Sequence, residues 1–289
     1  MSVLFKLLAL LPLRVLQLLG AVIGQWVFRF SSVLQKRSRE NLEQAGLYSD
    51  TLFERLGRGA GRQSLESIWV WYRNPKSVLE RVEVDPASKA LIDWAVSQER
   101  PLVFMTPHVG CFEVLPVWFA NEYFEKTGKK LCILFRPPHN AWLRKVVGEA
   151  RQAPGIEPCP TTLIGVKKLI KAMREGHAFG ALPDQVPSAG DGVWAPFFRR
   201  DAYTMVLPLR VAKQMDAIKI FAWGKRTQHG WRLEAMAWDY VLTGNLEQDA
   251  AAMNSQIEAI IRRMPEQYAW SYNRYKTPIG ARPKKNETL

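Results

Sequence analysis

Three short apolar runs constrain the fold more than any other feature of this sequence: Leu102 to Met105, Leu131 to Phe135 and Ala178 to Leu182. Each is too short for a typical helix, shows no polar alternation and ends in a turn that contains proline. Such runs read as strands buried on both faces. Between the last two, Val166, Leu169, Ile170 and Met173 recur at helical spacing after a cap near Thr161 or Thr162, with Lys167, Lys168, Lys171 and Arg174 largely on the other side. Strand, helix and strand in alternation predict an α/β fold with a mostly parallel central sheet flanked by helices.

Beyond that core the pattern continues. Ala217 to Trp223 and Trp231 to Trp238 read as a hairpin, with Arg232 and Glu234 alternating with apolar residues in the second strand. A closing helix is expected to bring Met253, Ile257, Ile260, Ile261 and Met264 to one face. Residues 40 to 95 read as helical. Within them Gly57, Gly59 and Gly61 lack the preceding strand that a dinucleotide-binding loop requires, so they signal close helix packing or a turn.

The first thirty residues are largely apolar but interrupted by Lys6, Pro12, Arg14, Gln17 and Gln25. Their longest charge-free stretch, Val15 to Phe28, is 14 residues, short of the ~30 Å hydrocarbon layer at about 1.5 Å per residue. An interfacial or re-entrant anchor fits better than a clean span, and the absence of a small-x-small site argues against a cleaved signal peptide. The chain then divides into residues 1–35, an N-terminal membrane anchor or interfacial helix, and residues 36–289, one folded α/β unit. The cluster Lys36-Arg37-Ser38-Arg39 would hold that unit on the cytoplasmic side and bind anionic head groups.

A net charge of +13 favours anionic partners, and 11 tryptophans alongside it point towards a membrane surface rather than nucleic acid, for which no recognisable motif is present. Cys111, Cys132 and Cys159 are too few and too widely spaced for a disulfide framework or a metal site. His139, His177 and His229 lack partners at metal spacing and read as structural or exposed. Neither metal nor cofactor is expected.

His108, Arg136 and Asp184 each follow a predicted strand, at the carboxyl edge where open α/β sheets place ligands. Glu113 stands five residues after His108. Taken alone, His-x4-Glu is weak, and a satisfied structural histidine explains it. With the glutamate pointing back from the next helix, it instead makes a dyad in which neutral imidazole takes a proton from a hydroxyl and the carboxylate fixes the tautomer. Taken alone, Asp184 after Pro183 equally suits a turn-stabilising role, and Arg136 a surface charge.

Several ordered blocks then settle on one resemblance. They are Pro107-His108-Val109-Gly110 with Glu113, Phe135-Arg136-Pro137-Pro138-His139-Asn140, Arg151, and Leu182-Pro183-Asp184-Gln185. Gly192 to Phe198, Ala202-Tyr203-Thr204, Glu266-Gln267-Tyr268-Ala269-Trp270 and Arg274-Tyr275-Lys276 follow. From about residue 100 to 276 the chain resembles the late acyltransferases of lipid A biosynthesis, within the glycerolipid acyltransferase group that uses His-x4-Asp/Glu. The resemblance implies an acyltransferase domain over 36–289 that moves a fatty acyl chain from acyl carrier protein to a hydroxyl of a phosphorylated lipid A precursor at the bacterial inner membrane. It makes His108 the general base and Glu113 its partner, and it places Arg136 and Arg151 near acceptor phosphates or the oxyanion, with Asp184 also at the site. The block from Gly192 to Phe198 would shape the site wall.

The departures concern the acceptor. Cys111-Phe112 replaces the family's common Asn-Trp, Arg199 stands where glycine often follows the paired phenylalanines, and Tyr272 to Lys276 replaces a common His-Arg-Arg-Phe-Lys. These leave open a lysophospholipid, a phosphatidylinositol mannoside-like lipid or an amino-acid lipid as acceptor. A non-enzymatic basic membrane-binding protein is the remaining alternative.

Overall fold

The computed structural model describes residues 2–124, 127–135 and 155–282. Arg136, Arg151 and His139 therefore lie outside the described residues.

Helices α1 (Ser2–Leu10) and α2 (Leu13–Phe30) are separated at Pro12, whose missing N–H suits the start of a helix. Ser31 caps α3 (Ser32–Ala45) by accepting from the Leu34 N–H, and Gly46 ends it in the left-handed conformation. Ser49 caps α4 (Asp50–Tyr72) in the same way. Short helix α5 (Pro75–Leu79), strand β1 (Val82–Val84) and helix α6 (Pro86–Ser97) complete the N-terminal half, so the expected helical stretch also contains one three-residue strand.

The clustered glycines let α2 and α4 pack backbone against backbone. A Cβ on Gly61 would lie 1.9 Å from the Gly20 carbonyl oxygen, and one on Gly24 would lie 2.3 Å from that of Gly57. Of the two expectations for these glycines, helix packing is the one realised. Between the helices Gln17 donates to Glu66, which also accepts a bidentate pair from Arg226 at 2.5 and 2.8 Å. Glu66 is wholly buried, and these partners occupy both of its carboxylate oxygens.

The central sheet contains β2 (Leu102–Met105), β3 (Leu131–Phe135), β4 (Ile156–Pro160) and β5 (Ala178–Ala181). It is completed by β8 (Ile218–Arg226), β9 (Trp231–Ala237) and β1. Its order is β1-β9-β8-β2-β5-β3-β4, and every neighbouring pair is parallel except the β8–β9 hairpin. The expected α/β class, the three buried strands and the hairpin are thus present. Strand β4 was not expected, because Pro158 and Pro160 disguise it.

Helices α7 (Val114–Phe119) and α8 (Leu163–Arg174) flank the sheet, α8 capped by Thr162. Strands β6 (Gly192–Phe197) and β7 (Arg200–Met205) form a separate antiparallel pair, followed by α9 (Leu207–Gln214) and α10 (Leu246–Arg263).

Alternation along β2 shows why the run has no polar residue. Val103 and Met105 face a core that includes Met173 of α8 and Met253, Ile257, Ile260 and Ile261 of α10. Leu102 and Phe104 face the opposite core with Leu16, Ile92, Leu115 and Ile220. Both faces are covered, and each large side chain so buried contributes about 1.5–3 kcal/mol.

Candidate active site

Strands β2 and β5 pair in parallel, with Met105 opposite Ala181, and the Thr106 N–H donates to the Ala181 carbonyl at 2.9 Å. The loops that leave them therefore emerge side by side. His108 follows β2 by three residues and Asp184 follows β5 by three, which brings the two into one site although 76 residues separate them.

Asp184 uses both carboxylate oxygens on His108. Its Oδ1 lies 2.7 Å from ring Nδ1, and its Oδ2 accepts the His108 backbone N–H at 2.9 Å. Burial alone would raise the Asp184 pKa, but the neighbouring His108 charge, the two His108 hydrogen bonds and Arg274 outweigh it, and the carboxyl titrates below its ordinary value. An ionised carboxylate accepts only, so in the neutral imidazole the proton sits on Nδ1 and the lone pair on Nε2. The exposed Gln185 side chain places its amide nitrogen 3.0 Å from that Nε2.

Backbone geometry holds the histidine loop against β8 and the C-terminal segment. Gly110 has φ +59, donates its N–H to the Gln267 carbonyl at 3.0 Å, and would bring a Cβ to 2.1 Å from the Gly224 carbonyl oxygen. Cys111 N–H donates to that Gly224 oxygen at 2.9 Å. Single bridges join Val109 to Tyr268 and Gly110 to Gly224. The Cys111 thiol is fully buried, and burial followed by the Glu66 charge pushes its pKa well above the ordinary thiol value, so it packs as a neutral group.

Glu113 is buried immediately before α7. With Thr106, Phe112 and Leu182 it lines an apolar cavity whose walls include Phe104, Phe119 and Ile133. The Phe112 ring meets His108 edge-on at 4.7 Å between centroids, which restricts rotation of the imidazole. Behind Asp184, the Val186 N–H donates to the Tyr272 hydroxyl at 2.9 Å, so one departure from the family pattern supports the aspartate loop.

The arrangement thus joins His108 and Asp184 directly and sets Glu113 in the lining of the adjoining cavity. The positions of Arg136 and Arg151 fall outside the described residues. Sequence reasoning assigned no role to Gln185, Phe112 or Tyr272; Gln185 was signalled only by its place in the block with Asp184. Strand β6, the expected wall segment, is fixed to α10 by Asn254, which donates to the Pro196 carbonyl at 2.7 Å. Among the described residues no group of three or more His, Cys, Asp or Glu is positioned to hold a metal ion.

This geometry can deprotonate a hydroxyl and stabilise the resulting imidazolium beside an apolar cavity. The profile of the family described as bacterial lipid A biosynthesis acyltransferase matches residues 1–277. Lipid A biosynthesis acyltransferase 2 of Shigella flexneri is 25% identical over 268 residues, covering 89% of this chain and 82% of that protein. Lipid A biosynthesis palmitoleoyltransferase of Escherichia coli K12 is 24% identical over 288 residues, covering 93% and 88%. A lipid A biosynthesis acyltransferase of Haemophilus influenzae is 23% identical over 279 residues, covering 91% and 82%. The match over nearly the whole chain, with an imidazole–carboxylate pair at the sheet edge, shows that this chain belongs to the bacterial lipid A biosynthesis acyltransferase family and is an acyltransferase.

Proposed function

We propose that the chain transfers a fatty acyl group from an acyl carrier protein thioester to a hydroxyl of a phosphorylated lipid A precursor, with His108 as general base. The observation that carries this reading is the hold of buried Asp184 on His108 Nδ1, which leaves Nε2 as acceptor beside a small apolar recess. The acceptor hydroxyl displaces the Gln185 amide and donates to Nε2. Its oxygen attacks the thioester carbonyl, the C–S bond breaks, and the proton passes from His108 to the departing thiolate.

Asp184 fixes the tautomer in this scheme, and Glu113 adds a second carboxylate that stabilises the imidazolium. Arg136 and Arg151 are proposed to bind acceptor phosphates or the oxyanion.

The membrane surface enters through α2. Its 18 residues are long and apolar enough to cross a membrane by length and composition, but 33% of that stretch is buried against the rest of the chain. Leu16, Ala21 and Phe28 are buried while Leu18, Val22, Trp26 and Phe30 are exposed. One covered and one exposed apolar face suit a helix lying in the interface of the inner membrane, with the catalytic unit on the cytoplasmic side. The exposed basic face of α8 from Lys167 to Arg174 is proposed to dock the acidic carrier.

The test is transfer of a labelled acyl group from acyl carrier protein to a tetra- or penta-acylated lipid A precursor by wild type, His108→Ala and Glu113→Ala. Transfer that collapses in both variants supports the scheme. Full activity in folded His108→Ala overturns the general-base assignment, and failure of the wild type followed by success with a lysophospholipid overturns the acceptor.

A further inference from the structure

A cavity of about 370 Å³ lies between α2, α3, α4 and the segment Tyr268–Ser271, within the ~300–1,000 Å³ range of ligand sites. Its lining is largely apolar, but Ser38 and Gln63 also face it. Among the described residues Ser38 Oγ and Gln63 Nε2 are buried with no hydrogen-bond partner, and Ser38 as a whole is 1% exposed. A buried donor without an acceptor costs about 1–3 kcal/mol, so two at one cavity require an explanation.

The position of the mouth supplies it. Ile23 and Val27 line the cavity and are also 55% and 54% exposed on the outer face of α2, next to Trp26. A chain leaving a bilayer along α2 would pass from that apolar face into the cavity without crossing water. Tyr268, on the opposite wall, is bridged to Val109, the residue after His108. The cavity therefore runs from the exposed apolar helix face to Tyr268, whose bridge to Val109 adjoins the loop of the proposed general base.

We propose that this cavity is a slot for one acyl chain of the acceptor lipid, drawn from the membrane beside α2. Ser38 Oγ and Gln63 Nε2 donate to the carbonyl oxygens that join the acyl chains to the headgroup. The close contact of Gly20 and Gly24 with Gly57 and Gly61 forms the rigid floor of the slot. This inference rests on the membrane-acceptor reading above. It adds a binding site separate from the small apolar recess at Phe112 and Glu113.

The test uses the full chain on mixed phosphatidylethanolamine and phosphatidylglycerol vesicles that carry a lipid A precursor with a diazirine at one acyl terminus. After illumination, adducts are mapped by peptide mass spectrometry. Adducts on Leu56 to Leu65 and Tyr268 to Ser271 support the slot. Ser38→Leu fills it from within, and Ala60→Trp narrows it from an exposed position that leaves the core untouched. Either change should reduce these adducts about tenfold, the effect of losing burial of about two methylenes. Each should raise the acceptor KM while leaving the donor KM unchanged.

Adducts confined to Leu18, Val22 and Trp26 on the outer face would overturn the slot and leave the membrane reading intact. No adducts anywhere would overturn both. Equal labelling by a diazirine phospholipid that the precursor fails to displace would overturn the acceptor assignment. His108→Ala should retain the inner adducts, which separates loss of transfer from loss of the slot.

Discussion

Gly110 offers a test in which sterics and backbone conformation can be separated. Gly110→Ala places a side chain at φ +59 and aims its Cβ at 2.1 Å from a backbone oxygen on β8, which has no flexible end to yield. Gly128→Ala, at φ +69 with nothing within 4 Å of the added Cβ, imposes the conformational cost alone. That cost is about 1–2 kcal/mol for each variant.

In Gly110→Ala the loop must also withdraw, sacrificing the Gly110-to-Gln267 and Cys111-to-Gly224 hydrogen bonds, which adds about 1–3 kcal/mol. For 289 residues the unfolding entropy is about 0.6 kcal/mol/K. The expected losses in Tm are therefore about 2–3 °C for Gly128→Ala and about 3–8 °C for Gly110→Ala. Because His108 rides on the displaced loop, kcat should fall about a hundredfold in Gly110→Ala and stay near wild type in Gly128→Ala. Differential scanning fluorimetry and the acyl-transfer assay read the two effects. A Gly110→Ala variant no less stable than Gly128→Ala and fully active would refute the claim that this contact positions the histidine.

Three further outcomes are expected. Asp184→Asn replaces the acceptor at Nδ1 with a neutral amide, and kcat should fall about 10²–10⁴-fold with a much smaller change in acceptor KM in steady-state kinetics. Glu66→Ala leaves the Arg226 charge buried without its carboxylate, and urea unfolding should show a loss of about 3–5 kcal/mol; an unchanged midpoint would show that the pair is dispensable. Asp184 has a folded pKa below its ordinary 3.8, so its ionisation contributes stability above that value that is lost as pH falls through the folded pKa. Denaturation midpoints between neutral pH and pH 3 should decline more steeply in wild type than in Asp184→Asn.

The sequence made the interior of the sheet legible because β2, β3 and β5 are uninterrupted apolar runs that stop at proline turns. The same rule concealed β4, whose Pro158 and Pro160 read as loop although the strand pairs with β3 over five positions. β1 was hidden by its length of three residues within a helical stretch. At the site, local spacing drew His108 towards Glu113, the carboxylate five residues on. The contact with Asp184 arises from the adjacency of β2 and β5, a property of strand order that no local periodicity carries. Placing polar residues at the carboxyl edge nevertheless selected both His108 and Asp184, since that rule depends on where a strand ends rather than on which strand lies beside it.

The two strands that close the sheet have a consequence for how the protein aggregates. An open strand is a template on which another chain can add its own, and the usual protections are brevity and proline. Strand β1 offers only three residues, while β4 carries two prolines that cannot donate to a ladder. Growth of the sheet from one copy to the next is therefore obstructed at both ends. Among the described residues the outer face of α2 stays adhesive. Overproduced protein should accordingly clump through greasy helices rather than through cross-β fibrils, giving deposits that mild detergent redisperses and that bind no amyloid dye.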